Sequence, residues 1–185
     1  MTTIYIGIGS NLDDPSAHVR QAIRELGQLD ECLLLSTSSL YKSRALLDPK
    51  QSPGHSPNHS PDTREPSPDY PQHQPDYINA VVAIETEKDE ISLLDELQAI
   101  EHYHGRVRTG ERWASRPLDL DVLLVGDKII NQTRLIIPHP GLHQRSFVLY
   151  PLQEIAPDLN IPGLGSLKEL VARCDEEGLE RLSDA

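Results

Sequence analysis

Ile4, Ile6 and Ile8 alternate with Thr3, Tyr5, Gly7 and Gly9, and a period of two predicts a strand, here ending in a Gly-Ser-Asn turn. The spacing then lengthens. Asp13 or Asp14 is placed to cap a helix with Pro15 near its first position, and Val19, Ile23 and Leu26 supply an apolar stripe that Gly27 closes. Leu33 to Tyr41 and Tyr77 to Glu85 are predicted as two well-buried strands. A second helix opens near Asp89, carries Ile91, Leu94, Leu97 and Ile100 at helical spacing, and ends at Gly105. Leu118 to Val125 is a fourth strand and Gly126-Asp127 a turn. Ile129-Ile130 and Leu135 to Ile137 are short strand-like pieces, and Ser146 to Ile155 and Leu167 to Arg173 are helical. The order β, α, β, β, α, β predicts an α+β fold, a ferredoxin-like antiparallel sheet with both helices on one face and C-terminal strand and helix decorations.

Between strands two and three the pattern disappears. Residues Asp48 to Pro75 hold most of the chain's 15 prolines with Ser, His and Asp, including Ser52-Pro53-Gly54-His55 and Ser56-Pro57-Asn58-His59. Such a composition cannot bury a core and reads as a solvated insertion in a single domain of 185 residues. A net charge of −12 argues against a nucleic-acid footprint and requires any anionic ligand to meet a local basic patch. Cys32 and Cys174 lack CxxC spacing, so neither a structural zinc site nor a disulfide framework is expected. No apolar run approaches the roughly 20 residues that span a bilayer. With no basic leader at the N-terminus, the expectation is a soluble, cytoplasmic monomer.

The basic patch is found between Arg106 and Arg116, where four arginines and the only tryptophan run into Leu118-Asp119-Leu120-Asp121-Val122-Leu123-Leu124-Val125. On a strand, Asp119 and Asp121 project from one face, with Leu118, Leu120, Val122 and Leu124 on the other. Two adjacent carboxylates repel unless a divalent ion or guanidinium groups lie between them, and metal with arginine is how proteins manage phosphate chains. Asp-Leu-Asp is equally compatible with a solvent-facing edge or a salt bridge to Arg116. No GxxxxGK[ST] or GxGxxG follows a strand, so any nucleotide site must use the 106–121 region.

Several motifs occur together in one order: Ile8-Gly9-Ser10-Asn11-Leu12, Pro75-Asp76-Tyr77-Ile78-Asn79-Ala80, Arg106-Val107-Arg108, Glu111-Arg112-Trp113, Arg116 to Leu124, Pro138-His139-Pro140 and Arg145-Ser146-Phe147-Val148-Leu149. In these the chain resembles the 6-hydroxymethyl-7,8-dihydropterin pyrophosphokinases, over nearly its whole length apart from the proline-rich insertion. The resemblance implies transfer of the terminal diphosphate of ATP to a pterin hydroxymethyl oxygen, releasing AMP, in folate biosynthesis. It implies that Asp119 and Asp121 hold two Mg²⁺ ions, that Arg106 and Arg116 assist transfer, and that Arg108 and Trp113 ride a mobile catalytic loop. It assigns Gln98, Glu101, Arg108, Arg112, Trp113, His139 and Arg145 to ATP, with Arg134, Leu135 and Ile136 near the adenosine half. To the pterin it assigns Tyr77 and Phe147 as stacking rings, Asn79 as the reader of its edge, and Ser43, Trp113 and Asp119 as further contacts. A flat heterocycle suits aromatic faces, and an amide complements its donor and acceptor edge.

The chain departs from that pattern at Ser43-Arg44-Ala45, where Thr-Pro-Pro is usual, at Ala114-Ser115, where Gly-Pro is usual, and at Pro117, where threonine is common. Two rival functions also use these features. A palm-like nucleotidyltransferase has an Asp-x-Asp strand and two Mg²⁺ ions but releases pyrophosphate. A non-catalytic ferredoxin-like ATP-binding module has no reason to carry Tyr77, Asn79 and Phe147.

Overall fold

The computed structural model describes residues 1–45, 74–106 and 115–183, so most of the proline-rich insertion and the arginine loop from 107 to 114 lie outside it. Five strands and two helices make the frame: β1 (Thr2–Ser10), α1 (Pro15–Leu26), β2 (Cys32–Thr37), β3 (Tyr41–Ser43), β4 (Tyr77–Thr86), α2 (Glu90–Tyr103) and β5 (Asp119–Val125). β1 lies at the centre, antiparallel to β4 on one side and β5 on the other, while β2 and β3 pair with the two ends of β4. This is the ferredoxin-like arrangement. The stretch from Leu33 to Tyr41 is two strands rather than the single strand expected. Register shifts between Leu34 and Ser36, and at Ser38 the hydroxyl accepts the Val81 N–H at 2.9 Å while the Ser38 N–H donates to the Val81 carbonyl. Nor is β2 well buried: alternate residues Leu33 and Leu35 are 55% and 48% exposed.

α1 and α2 cover one face of the sheet. Asp14 caps α1, its carboxylate accepting the Ala17 N–H at 3.0 Å, and Val19, Ala22 and Leu26 pack on Ile4, Ile6 and Ile8 with Ile23 flanking. Asp89 caps α2 through the N–H groups of Ile91 and Ser92. The buried stripe of α2 is Leu93, Leu97 and Glu101, one step round from that expected, with Ile91, Leu94 and Ile100 half-buried beside it. Gly105 ends the helix at φ +87°, where a side chain is strained; its N–H donates to the His102 carbonyl and that of Arg106 to the Glu101 carbonyl. Arg106 is thereby tied to the end of a rigid helix.

The opposite face is covered by the C-terminal decorations. After the hairpin β6 (Ile130–Asn131) and β7 (Ile136–Ile137) come α3 (Ser146–Ile155), the hairpin β8 (Asn160–Ile161) and β9 (Gly165–Ser166), α4 (Leu167–Arg173), and β10 (Leu179–Arg181), which pairs with β3. Leu124 is not on the face of Leu118, Leu120 and Val122 as alternation alone requires. The pairing of β1 with β5 slips between Tyr5 and Ile6, skipping Leu123, so Leu123 and Leu124 both join Val148, Leu149 and Leu152 beneath α3. No helix among the described residues is long and apolar enough to cross a membrane.

Because Leu97 is fully buried between α2 and the sheet, Leu97→Ala is expected to cost about 2–5 kcal/mol in urea unfolding, the range for truncated core leucines. Leu33→Ser, at an exposed β2 position, should stay within ~0.5 kcal/mol of the parent.

Candidate active site

Residues paired across a sheet share a face, so the register dictates what can meet. One row runs Tyr41, Asn79, Gly9, Asp119; the next runs Val81, Gly7, Asp121. Both rows face α3, opposite the isoleucine side of β1. Gly7 and Gly9 carry no side chains between the flanking polar groups, leaving the floor of a cleft of about 270 Å³. A β-carbon on Gly9 would reach to 3.4 Å from the Asn79 Oδ1 and stand in that floor. The walls include Ser43, Arg44, Tyr77, Arg106, Arg116, His139, Arg145 and Phe147.

At one end the carboxylates meet the arginines. One guanidinium nitrogen of Arg106 donates to both Asp119 and Glu101, and Arg116 reaches the second oxygen of Asp119 at 3.0 Å. Glu101 is only 2% exposed and also accepts the Leu120 N–H at 2.8 Å, so a buried acid on α2 braces both Arg106 and the peptide between the two aspartates. Arg116 is held by its backbone: its N–H donates to the Asn11 Oδ1 at 2.9 Å, and the Asn11 amide reaches Pro75 and Ser115 as well.

Asp121 sits deeper. Among the described residues its nearest basic side chains are the Arg145 guanidinium, with Nη1 at 3.8 Å, and the His139 imidazole, with Nε2 at 3.9 Å. Its side chain keeps 39% of its surface accessible through the cleft mouth, yet it faces protein in most directions. Burial first, and Asp119 beside it second, push its carboxyl up to about 7. His139 is held down to about 4 by burial and by the Arg145 guanidinium, against the opposing pull of Asp119. The neutral ring accepts the Gly141 N–H at its Nδ1, 3.2 Å away, which leaves the Nε2 hydrogen for the cleft. Arg145 crosses Gly141 closely, since a β-carbon there would lie 2.5 Å from its Nε, and its charge rests 5.9 Å above the Phe147 ring centre.

At the other end, Asn79 donates to the Ser43 Oγ at 3.0 Å and the Tyr41 carbonyl at 3.3 Å, so its amide oxygen is the group turned to Gly9 and the cleft. Tyr77 stands beside it, its phenol pushed up by burial. Two strand spacings of about 4.8 Å put this amide roughly 10 Å across the sheet from Asp119.

Of the residues singled out from sequence, Ser43, Tyr77, Asn79, Arg106, Arg116, Asp119, Asp121, His139, Arg145 and Phe147 line this one cleft. Gln98, Glu101, Arg134, Leu135 and Ile136 do not: Glu101 is committed to its internal partners, Leu135 is buried, and Arg134 pairs with Asp95 on the outer side of α2. Arg108, Arg112 and Trp113 lie outside the described residues. The sequence reading missed Gly7, Arg44 and the bracing by Asn11. The Gly7 and Gly9 pair, alternating with Ile6 and Ile8 in β1, was the available signal for Gly7.

Asp119 and Asp121 offer hard oxygens without a third ligating side chain among the described residues. A Mg²⁺-like ion fits that donor set, because it completes its shell with phosphate and water oxygens and relieves the repulsion that raises Asp121.

A model of the 7,8-dihydro-6-hydroxymethylpterin-pyrophosphokinase (HPPK) family matches residues 5–157. The 2-amino-4-hydroxy-6-hydroxymethyldihydropteridine pyrophosphokinase of Haemophilus influenzae is 43% identical over 183 residues, covering 99% of each chain. That of Pseudomonas aeruginosa is 39% identical over 182 residues, with 98% of each chain covered. Among solved structures, an HPPK-DHPS in complex with substrates matches 99% of this chain with a TM-score of 0.67 at 13% identity. A Plasmodium falciparum HPPK-DHPS matches 98% with a TM-score of 0.64 at 14% identity. This chain spans 48% and 47% of those two chains, and at such identity they bear on the fold alone.

The raised Asp121 carboxyl has a consequence for stability. Between an unfolded value of about 4 and the folded value of about 7, the unfolded chain has released a proton that the folded chain retains. The folded state therefore loses stability as pH rises through that window. Asp121→Asn is expected to melt higher than the parent at pH 8 without Mg²⁺, with the gain shrinking toward pH 4. Measuring both proteins at each pH cancels the opposite dependence contributed by His139, and equal midpoints at pH 8 would contradict the assignment.

Proposed function

Since the chain belongs to the 7,8-dihydro-6-hydroxymethylpterin-pyrophosphokinase family and moves diphosphate from ATP to hydroxymethyldihydropterin in folate biosynthesis, we propose that the cleft divides this work between its two ends. The observation that carries the reading is the sheet register, which aligns Asn79, Gly9 and Asp119 in one row. The pterin lies over the glycine floor between Tyr77 and Phe147, its edge donating to the Asn79 oxygen, with Ser43 holding the Asn79 amide in place. Its hydroxymethyl oxygen then points along the row toward Asp119.

Asp119 and Asp121 would hold two Mg²⁺ ions that enter with ATP. Bound there, the metal neutralises phosphate charge and favours attack at the β-phosphorus. Arg106 and Arg116 stand ready because Asp119 holds them in the resting cleft. With Asp119 as a ligand of a bound ion, both guanidinium groups would be free to exchange its carboxylate for phosphate oxygens, where they would stabilise charge building on the bridge to AMP. Arg145 and the Nε2 hydrogen of His139 serve the same chain of phosphates. The hydroxymethyl oxygen bonds to the β-phosphorus as the bond to the α-phosphate oxygen breaks, and the hydroxyl proton leaves to solvent. Arg108, Arg112 and Trp113 belong in this reading to the loop that covers ATP and pterin and excludes water. Gln98, Arg134, Leu135 and Ile136 belong to the adenosine half, reached from the outer side of α2. Glu101 acts through Arg106 and the Leu120 peptide.

The reading takes the protein as a monomer. It takes the cytoplasm as the compartment, which suits two free cysteines. Nucleic acid is not a partner, given the charge of −12.

Incubation with ATP, Mg²⁺ and the pterin, followed by mass analysis, should yield AMP and pterin diphosphate in equal amounts. Release of pyrophosphate or ADP instead would overturn the reading. Asp119→Asn and Asp121→Asn should each lower turnover at least ~100-fold with the circular dichroism spectrum unchanged. Near-parental rates at saturating Mg²⁺ would remove that residue from the metal site. In single-turnover kinetics Arg116→Ala should slow the chemical step more than it weakens ATP binding.

A further inference from the structure

Away from the cleft, α1 meets the last turn of α2 through a chain of three side chains. The Nδ1 atoms of His18 and His104 lie 2.8 Å apart, and the His104 Nε2 lies 2.9 Å from the Glu25 Oε2. The other Glu25 oxygen accepts from the Gln21 amide at 2.8 Å, which fixes the carboxylate from behind. An ionised carboxylate only accepts, so Glu25 holds the His104 hydrogen on Nε2 and leaves the Nδ1 lone pair directed at His18. A histidine oriented through one nitrogen by a carboxylate, with its other lone pair converging on a second histidine, is the arrangement that prepares imidazole for a metal.

We propose that His18 and His104 bind a divalent transition-metal ion of the Zn²⁺ type through their Nδ1 atoms, with Glu25 as a positioning residue. The ion takes the place of the single proton shared between the rings, which is released to solvent. Two nitrogens each about 2.0–2.1 Å from a tetrahedral ion lie about 3.3 Å apart, so the rings need separate by only roughly half an ångström. His18 can supply that movement because it is half-buried, whereas the His104 side chain is 5% exposed and fixed. A solvent-open recess lined by Asp13, Asp14 and Tyr103 adjoins the pair, and Arg24, also on its wall, turns its guanidinium onto the Gln21 oxygen at 2.6 Å. No third ligating side chain converges among the described residues. Water therefore completes the shell, and the ion exchanges rather than being locked in. Imidazole nitrogens select Zn²⁺, Ni²⁺ or Cu²⁺ over Mg²⁺, so this site and the aspartate pair take different metals. An ion here ties α1 to His104, two residues before Arg106.

The test is calorimetric titration of the full-length protein with ZnCl₂, without ATP or Mg²⁺, with circular dichroism as the check on folding. One Zn²⁺ should bind per chain in the micromolar range, and Asp119→Asn combined with Asp121→Asn should leave it unchanged. His18→Asn should abolish this binding, and Glu25→Gln should weaken it about 10- to 100-fold. Binding that survives His18→Asn, binding lost with the two aspartates, or no micromolar binding at all would overturn the proposal.

Discussion

Two carboxylates two residues apart on one strand must face the same way, and everything around β5 answers to that constraint. Asp119 and Asp121 cannot turn apart without breaking the pairing of β5 with β1. The protein therefore surrounds them with cations of graded closeness. Arg106 and Arg116 contact Asp119 directly, while Arg145 stands 3.8 Å from Asp121. Burial still leaves Asp121 with a carboxyl raised to about 7, a sign that the arginines do not fully offset the repulsion. A site that is electrostatically incomplete by itself is suited to receiving divalent cations and poorly suited to standing empty at neutral pH.

The same constraint explains the bracing beneath. Arg106 must reach Asp119 yet remain available, and it emerges from a helix end whose last turn is closed at Gly105 and whose buried Glu101 holds both the arginine and the Leu120 peptide. Arg116 follows a segment outside the described residues, so its anchor comes from the opposite direction, through Asn11 at the end of the central strand. Arg106 and Arg116 are thus referred to rigid elements through the buried polar groups of Glu101 and Asn11, each with its hydrogen bonds made.

Much of this was legible in the chain. The isoleucine alternation of β1 and the Asp-Leu-Asp run specify faces without any tertiary information, and the caps at Asp14 and Asp89 mark helix starts by their own hydrogen-bonding chemistry. What failed depended on neighbours. A bulge opposite Tyr5 and Ile6 turned Leu124 to the α3 side, and the hydroxyl of Ser38 divided one predicted strand in two, neither event having a periodic signature. The stripe of α2 was displaced because Glu101 is buried by partners 5 and 19 residues away, so an acid occupied a position that hydrophobicity assigns to an apolar residue. Arg44 was passed over as a departure from the family pattern, yet its place on the cleft wall depends on β10 packing beside it through Gly178.

Gly9 forms the floor between the Asn79 amide and the Asp119 carboxylate in one sheet row, and in the proposed function this floor joins the pterin end of the cleft to its phosphate end. Equilibrium titration of Gly9→Val with a fluorescent reduced pterin and, separately, with Mg-ATP tests it most directly. Pterin affinity should fall at least ~10-fold, as a branched side chain fills the floor, while Mg-ATP affinity stays within about twofold. Unchanged pterin affinity, or an equal loss for both ligands in a folded variant, would contradict the account.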